Sequence, residues 1–260
     1  MDISRYDFSS LPEYLSAIKR VATDWNDPQA RIWYRGVDDV RFGLVPRTAW
    51  RGISLNEEET MMGEFLVYYR SYYGRTIEDG LELYTLMQHY GLPTRLLDWS
   101  MSPLVALYFA LEMEDNGGAE RAVWAMDCST LNSIVLDIPQ PIVPRLGSDN
   151  VARQWLPKML RQGGDAEIPD EVFGFEHPMS NQRIQGQKGC FTFHGRSNRS
   201  IDQVFREADS NRIVHLRLAE PGARDEILND LYALGYKEDD IYRDLNALSR
   251  RIIREHGIRS

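Results

Sequence analysis

The chain has 260 residues, 43% of them hydrophobic and 27% charged, an ordinary balance for a globular fold and enough length to bury a sizeable core. Lys plus Arg number 30 against 39 Asp plus Glu, and the net charge of −9 argues against broad electrostatic binding to nucleic acid. Two cysteines, Cys128 and Cys190, exclude a disulfide framework or a four-thiolate zinc site. They fit a reducing, cytoplasmic setting. No apolar run approaches the roughly 20 residues of a membrane helix, and the first residues, with Asp2 and Arg5, lack the apolar stretch of a signal peptide. A soluble cytoplasmic protein without a membrane partner is expected.

Ser10 with Glu13 reads as a capping box, Pro12 suits a first turn, and Leu11, Tyr14, Leu15, Ile18 and Ala22 recur at helical spacing, which predicts a helix over 11–24. The aromatic and β-branched run 31–36 predicts a strand ended by Gly36. Asn56 and Glu59 predict the cap of a helix over 56–73, and Leu83, Leu86, Met87 and Tyr90 an amphipathic helix over 80–90. Gly91 and Pro93 break it, and 94–99 reads as a short extended or looped segment. Ser102 and Pro103 start a helix whose residues 104–111 are apolar nearly throughout. A buried strand is expected over 122–126. Six prolines break up 129–182, where only a short helix near 148–162 is expected. Strands over 190–194 and 213–218 follow. Two helices over 223–234 and 239–255 close the chain, with Ile227, Leu231, Leu234, Ile241, Leu245, Leu248 and Ile252 as their cores. The pattern is α+β.

The chain has no Gly-rich phosphate loop, no His-Glu-x-x-His and no Gly-x-Ser-x-Gly. The five histidines are scattered, no cysteine pairing supports a metal, and none is expected.

Three segments carry unusual chemistry. In Trp33-Tyr34-Arg35-Gly36, an Arg inside a strand built for burial needs a partner. Its planar fork suits a phosphate or carboxylate, and Gly36 permits close approach to the backbone. A structural ion pair explains Arg35 equally well. The segment Gln88 to Trp99 gathers His89, Tyr90, Thr94, Arg95, Asp98 and Trp99 on an irregular link between two helices, which is typical site material. Alternatively, Asp98 and Arg95 tie the link together, one of them pairing with Arg35. The third segment, Arg183 to Phe193, is a Gly-rich approach to a strand. There Gln187 can read a ribose or an amide, or the segment is an ordinary loop.

Together these segments resemble the FRG domain family. Its Phe/Tyr-Arg-Gly motif is similar to Tyr34-Arg35-Gly36, and its central Gln-His-x-Gly-x-Pro-Thr-x-Leu-Leu-Asp-Trp signature to Gln88 to Trp99, followed by Ala106 to Ala110. Later elements resemble Arg183 to Thr192 and Asp244 to Leu248. The resemblance divides the chain into a helical segment over 1–29 and an FRG domain over 30–255, with 129–182 a candidate lid or insertion. It implies a bacterial or phage setting and a toxin or phage-defence role.

The order of parts also resembles the arginine-type ADP-ribosyltransferases. That resemblance implies a central mixed or antiparallel sheet flanked by helices and cleavage of the nicotinamide glycosidic bond of NAD. It further implies transfer to a macromolecular acceptor, protein or nucleic acid. In that reading Arg35 holds a phosphate or ribose, and Tyr34, Tyr90 or Trp99 stacks on nicotinamide. Gly36, Thr94 and Arg95 complete the NAD site. His89 is a general base or a ribose ligand. The family's catalytic Glu is absent, Gln187 lies nearest its place, and Asp98, then Glu176, is the substitute acid. Two alternatives stand beside this one: a non-catalytic nucleotide- or protein-binding sensor, and a metal-dependent hydrolase or nuclease using His89 and Asp98.

Overall fold

A computed structural model describes residues 3–114, 117–136, 151–161, 167–176 and 182–258. Seven strands make one mixed sheet: β1 (Ser4–Phe8), β2 (Ile32–Val37), β3 (Leu96–Ser100), β4 (Ala122–Asp127), β5 (Phe173–Phe175), β6 (Gly189–Phe193) and β7 (Ile213–Leu218). Their order is β1-β7-β4-β2-β3-β6-β5, antiparallel except for the β1–β7 pair. The fold is α+β, a central mixed sheet flanked by helices.

The sheet is two half-sheets joined at a seam. β2 runs in register with β4 over six residues, Ile32 to Val37, and β3 with β6 over five, Leu96 to Ser100. Between β2 and β3 only Tyr34 and Ser100 pair. Beyond that pair the ladder opens. Side-chain alternation sorts the core. Tyr34, Val123, Ala125, Val214 and Leu216 pack beneath α1 (Leu11–Trp25), α5 (Pro103–Leu111) and α10 (Arg224–Ala233). Trp33, Leu97, Trp99, Trp124 and Met126 fill the opposite face with Val204 and Phe205 of α9 (Ile201–Glu207). A third cluster packs α3 (Leu55–Tyr73) and α4 (Gly80–His89) on Phe173, Phe175, Phe191 and Phe193.

Two glycines mark close backbone approaches. A Cβ on Gly36 would lie 1.9 Å from the Ala106 carbonyl oxygen and 2.6 Å from the Ala110 nitrogen, so α5 sits directly on β2 only because position 36 has no side chain. Gly186 meets the Asp240 carbonyl in the same way. It lies in α8 (Gln182–Gln187), where the sequence suggests a loop before β6.

Several expectations are corrected. The α3 box is Ser54 with Glu57, two residues before Asn56 and Glu59; both pairs have the same spacing, and the earlier one brings Leu55 into the helix. The expected 239–255 helix is two, α11 (Glu238–Tyr242) and α12 (Leu245–Glu255). Arg243 turns left-handed at φ 54°, and Asp244 recaps the chain by accepting from the Ala247 N–H at 2.7 Å. Leu245 and Ile252, on α12, are exposed rather than core, and so is Leu234, which caps the end of α10. Among the described residues of 148–162, the helical ones are α7 (Val151–Gln154) and a 3-10 turn, Lys158–Leu160. Sequence reading also missed β1, β5, α2 (Arg47–Trp50), α6 (Cys128–Leu136) and α9. Parts of 129–182, namely 137–150, 162–166 and 177–181, lie outside the described residues.

Candidate functional site

Where the β2–β3 ladder opens, a cleft of about 430 Å3 lies over the seam. That is within the usual range for small-molecule sites. Its walls come from β2 (Tyr34, Arg35, Gly36), α4 (Thr85, Gln88, His89), β3 (Asp98, Trp99, Ser100), α5 (Ala106, Phe109) and the α8–β6 segment (Ile184, Gln187, Phe191), with Asp38 from the loop after β2 and Arg47 from the start of α2.

Arg35 fills the wedge between the strands. Its Nη1 donates to the Asp98 main-chain carbonyl at 2.7 Å, so a side chain replaces the missing ladder bond. Its Nε is buried and has no partner among the described residues. Burial pushes its pKa down, and the like charge of Arg47 works in the same direction, while the Asp98 carboxylate opposes both. A guanidinium stays charged even so, so the cleft holds a cation with one donor unsatisfied. Arg47, which donates to the Gly91 carbonyl at 3.4 Å, adds a second cation to the rim.

Asp98 is the other half of the chemistry. The Gln88 Nε2 donates to its Oδ2 at 2.8 Å, and the Thr94 hydroxyl donates to the Gln88 Oε1 at 2.6 Å. The carboxylate is exposed to the cleft but tethered. Ser100, two residues on, is committed differently: its hydroxyl donates to the Gln187 carbonyl at 2.6 Å and accepts from the Ser102 N–H at 3.0 Å. That contact ties α8 to β3.

The cleft thus gathers Arg35, His89, Asp98 and Gln187, along with Tyr34 and Gly36. Tyr34 is only 6% exposed, and burial pushes its phenol up to about 12. Gly36 borders the cleft, yet its missing side chain is required by α5.

Four expected ligand-binding residues are placed otherwise. Arg95 is 2% exposed and belongs to a buried network. Its Nε meets Glu58 at 2.8 Å, its other nitrogens donate to the His194 and Trp155 carbonyls, and Tyr84 donates to Glu58. The pairing of Arg35 or Arg95 with Asp98 as an ion pair is not what forms. Thr94 is fully buried and acts through Gln88. The Trp99 indole is 3% exposed and donates to Thr192 at 3.1 Å, so it offers no stacking face. Tyr90 is 64% exposed and lines a different groove, between α3 and the end of α4. Glu176 is not in the cleft; its charge acts on the buried thiols of Cys128 and Cys190. The acids that do line the cleft are Asp98 and Asp38.

Sequence reading missed Arg47, Asp38 and Phe109 in the cleft, and Glu58 and Tyr84 beneath it. Glu58 carried a signal, since it is an acid on the face of α3 that also holds Met62 and Tyr69. Arg47 carried none. Among the described residues, no group of three His, Cys, Asp or Glu side chains is placed to hold a metal ion, and no helix is long and apolar enough to cross a membrane.

No curated protein and no solved structure matches the chain. The family model described as FRG domain matches residues 30–118. The match runs from just before β2 past the end of α5. It takes in Arg35, Arg47, the Thr94–Gln88–Asp98 relay and the Gly36–α5 contact, but not Gln187. The stretch that opens the sheet and lines most of the cleft is thus the part of the chain that matches the FRG domain.

Proposed function

We propose that the seam cleft binds NAD and that the protein is an ADP-ribosyltransferase-like enzyme modifying a macromolecular acceptor. The observation that carries this reading is the pairing, in one cleft, of an Arg35 guanidinium that lacks a partner for Nε with a tethered Asp98 carboxylate. A phosphate satisfies the first. The second suits the positive charge that develops on the ribose as the nicotinamide bond breaks. Nicotinamide departs with the bonding electron pair, and an acceptor nucleophile closes on the ribose carbon and loses its proton. The resemblance to arginine-type ADP-ribosyltransferases supplies this reaction class. Asp98 stands in for the acid that Gln187 does not provide, and His89, from α4 in the same cleft, accepts the nucleophile's proton.

The test uses labelled NAD with purified protein, with and without cell lysate, following nicotinamide release and label transfer. Wild type is expected to do both. Asp98→Asn is expected to lose about 10²–10³ in rate, the usual result of removing one preorganised electrostatic contact. Full activity in Asp98→Asn would overturn the assignment of the acid. The neutral Gln187 in the cleft favours a second reading, a nucleotide-binding module without turnover. It gains if NAD binds and neither release nor transfer follows.

A further inference from the structure

We propose that the protein assembles head to tail, with α12 of one copy lying in a tyrosine-lined groove between α3 and α4 of the next. Neither surface shares a lining residue with the seam cleft.

An amphipathic helix ordinarily buries its apolar stripe and leaves its charges in water. α12 does the reverse. Leu245, Leu248 and Ile252 recur at the spacing of one helical stripe, yet Leu245 is 78% exposed, Ile252 and Ile253 are exposed, and Leu248 is only half-buried. The side turned to the protein is charged. The Arg251 Nε meets Asp239 at 2.7 Å, the Arg254 Nε meets Glu238 at 2.8 Å, and the Arg254 guanidinium lies 3.6 Å from the centre of the Tyr232 ring. The one buried residue of the helix is Ala247. α12 is thus fastened by its polar side and presents a convex apolar ridge to the outside.

α3 has the complementary defect. It buries Met62 and Tyr69, but it is apolar on more than that side: Val67 and Tyr68 are exposed, and Tyr72 is 89% exposed. Phe65, Tyr68, Tyr72 and Tyr73 line a groove of about 600 Å3 together with Tyr90 and Leu92 from the turn after α4. Met61, Phe65, Tyr68 and Tyr72 are spaced three or four apart, so the groove follows α3 for about 16 Å, the length of an 11-residue helix such as α12. Tyrosines give such a groove large, stiff contact area whose hydroxyls still tolerate water. Helix-in-groove docking uses this geometry, with anchors at i, i+3 and i+7.

Charge selects the second copy and its orientation class. α3 carries Glu57, Glu58, Glu59 and Glu64 against Arg70, whereas α12 carries Arg250, Arg251 and Arg254 against Glu255. Glu64 is the charged residue of the groove lining, and neither it nor Arg250 forms an ion pair among the described residues. Groove against groove would oppose acid to acid, and ridge against ridge would oppose arginine to arginine; only groove against ridge pairs the signs. The two surfaces also stand on different parts of the core. α12 packs on α11, whose Ile241 belongs to the cluster beneath α1 and α5, while α3 belongs to the aromatic cluster around Phe173 and Phe193. Each copy can therefore use both surfaces, and the contact propagates.

The test is sedimentation velocity of the full chain from about 1 to 100 µM, the range suited to an interface smaller than the standard size. The average mass of wild type is expected to rise past that of two chains. Tyr72→Glu, in the groove, and Ile252→Glu, on the ridge, should each stay monomeric; both positions are exposed and Glu is a good helix former, so the fold is kept. Leu15→Glu, at an exposed apolar position of α1, should associate like wild type. An equal mixture of the two monomeric variants should form pairs and stop there, because each supplies the one surface that the other lacks. A mixture that stays monomeric, or association that survives either substitution, overturns the head-to-tail contact. Wild type that stays monomeric at about 100 µM overturns it too and leaves both faces to other partners.

Discussion

Replacing Gly36 with Ala tests whether α5 is seated on β2 as described. The added Cβ would stand 1.9 Å from the Ala106 carbonyl oxygen, where ordinary contact begins near 3.4 Å, a shortfall of about 1.5 Å. The Ala110 nitrogen at 2.6 Å closes the other side. Both obstacles are backbone, so no rotamer change relieves them, and α5 must lift. Overpacking a well-filled core costs about 1–3 kcal/mol, and with backbone on both sides the upper end applies. For a chain of this size about 3 kcal/mol corresponds to a Tm loss of about 6–12 °C. Scanning calorimetry of wild type and Gly36→Ala measures it. Gly43→Ala is the control, since a Cβ there meets nothing within 4 Å. A Gly36→Ala protein that melts with wild type would refute the close seating of the helix and, with it, the structural reason for a glycine in the Tyr-Arg-Gly motif.

Two further outcomes are expected. Arg95→Met strands the Glu58 carboxylate in the core and should destabilise the protein by about 3–5 kcal/mol in urea unfolding; an unchanged midpoint would contradict the buried network. His194 is 1% exposed, and burial holds its imidazole down at about 3 from the ordinary 6.5. The unfolded chain then takes up a proton below about pH 6.5 that the folded chain refuses. The His194 contribution is therefore flat above that pH and is lost progressively on acidification, by about 2 kcal/mol between pH 6.5 and 5. Urea midpoints of wild type and His194→Gln over that range should converge as pH falls; parallel curves would refute the assignment.

Local signals were legible where one residue type has one mechanism. Ser10 and Ser102 begin their helices as the capping and Pro rules say, and the strand runs at 32–37, 122–127 and 213–218 show in β-branched and aromatic composition. The site was legible as a set of segments and less so as a set of side chains. Arg35, His89, Asp98 and Gln187 do meet in one cleft. Arg95 and Trp99 sit beside Asp98 in sequence, yet strand alternation turns Trp99 inward, and Glu58, 37 positions away, draws Arg95 into the core. Tyr90 follows His89, but a helix end separates them by direction. Long-range partners decide such cases, and spacing along the chain does not encode them. β1 was missed because its polar pattern suits an edge strand that only β7, more than 200 positions later, makes into sheet.

The opened ladder leaves two strand edges facing each other inside the sheet, where most folds keep their edges at the periphery. Unpaired edges recruit other extended chains, and natural sheets guard them with charge. Arg35 does so here from within, its guanidinium lodged on the Asp98 carbonyl that a ladder would otherwise occupy. One side chain is therefore both the anion receptor proposed for the cleft and the guard of its backbone. A truncation such as Arg35→Ala removes both at once, and solubility and self-association belong beside any activity measured on it; Arg35→Lys, which keeps a charge in the gap, separates the two roles.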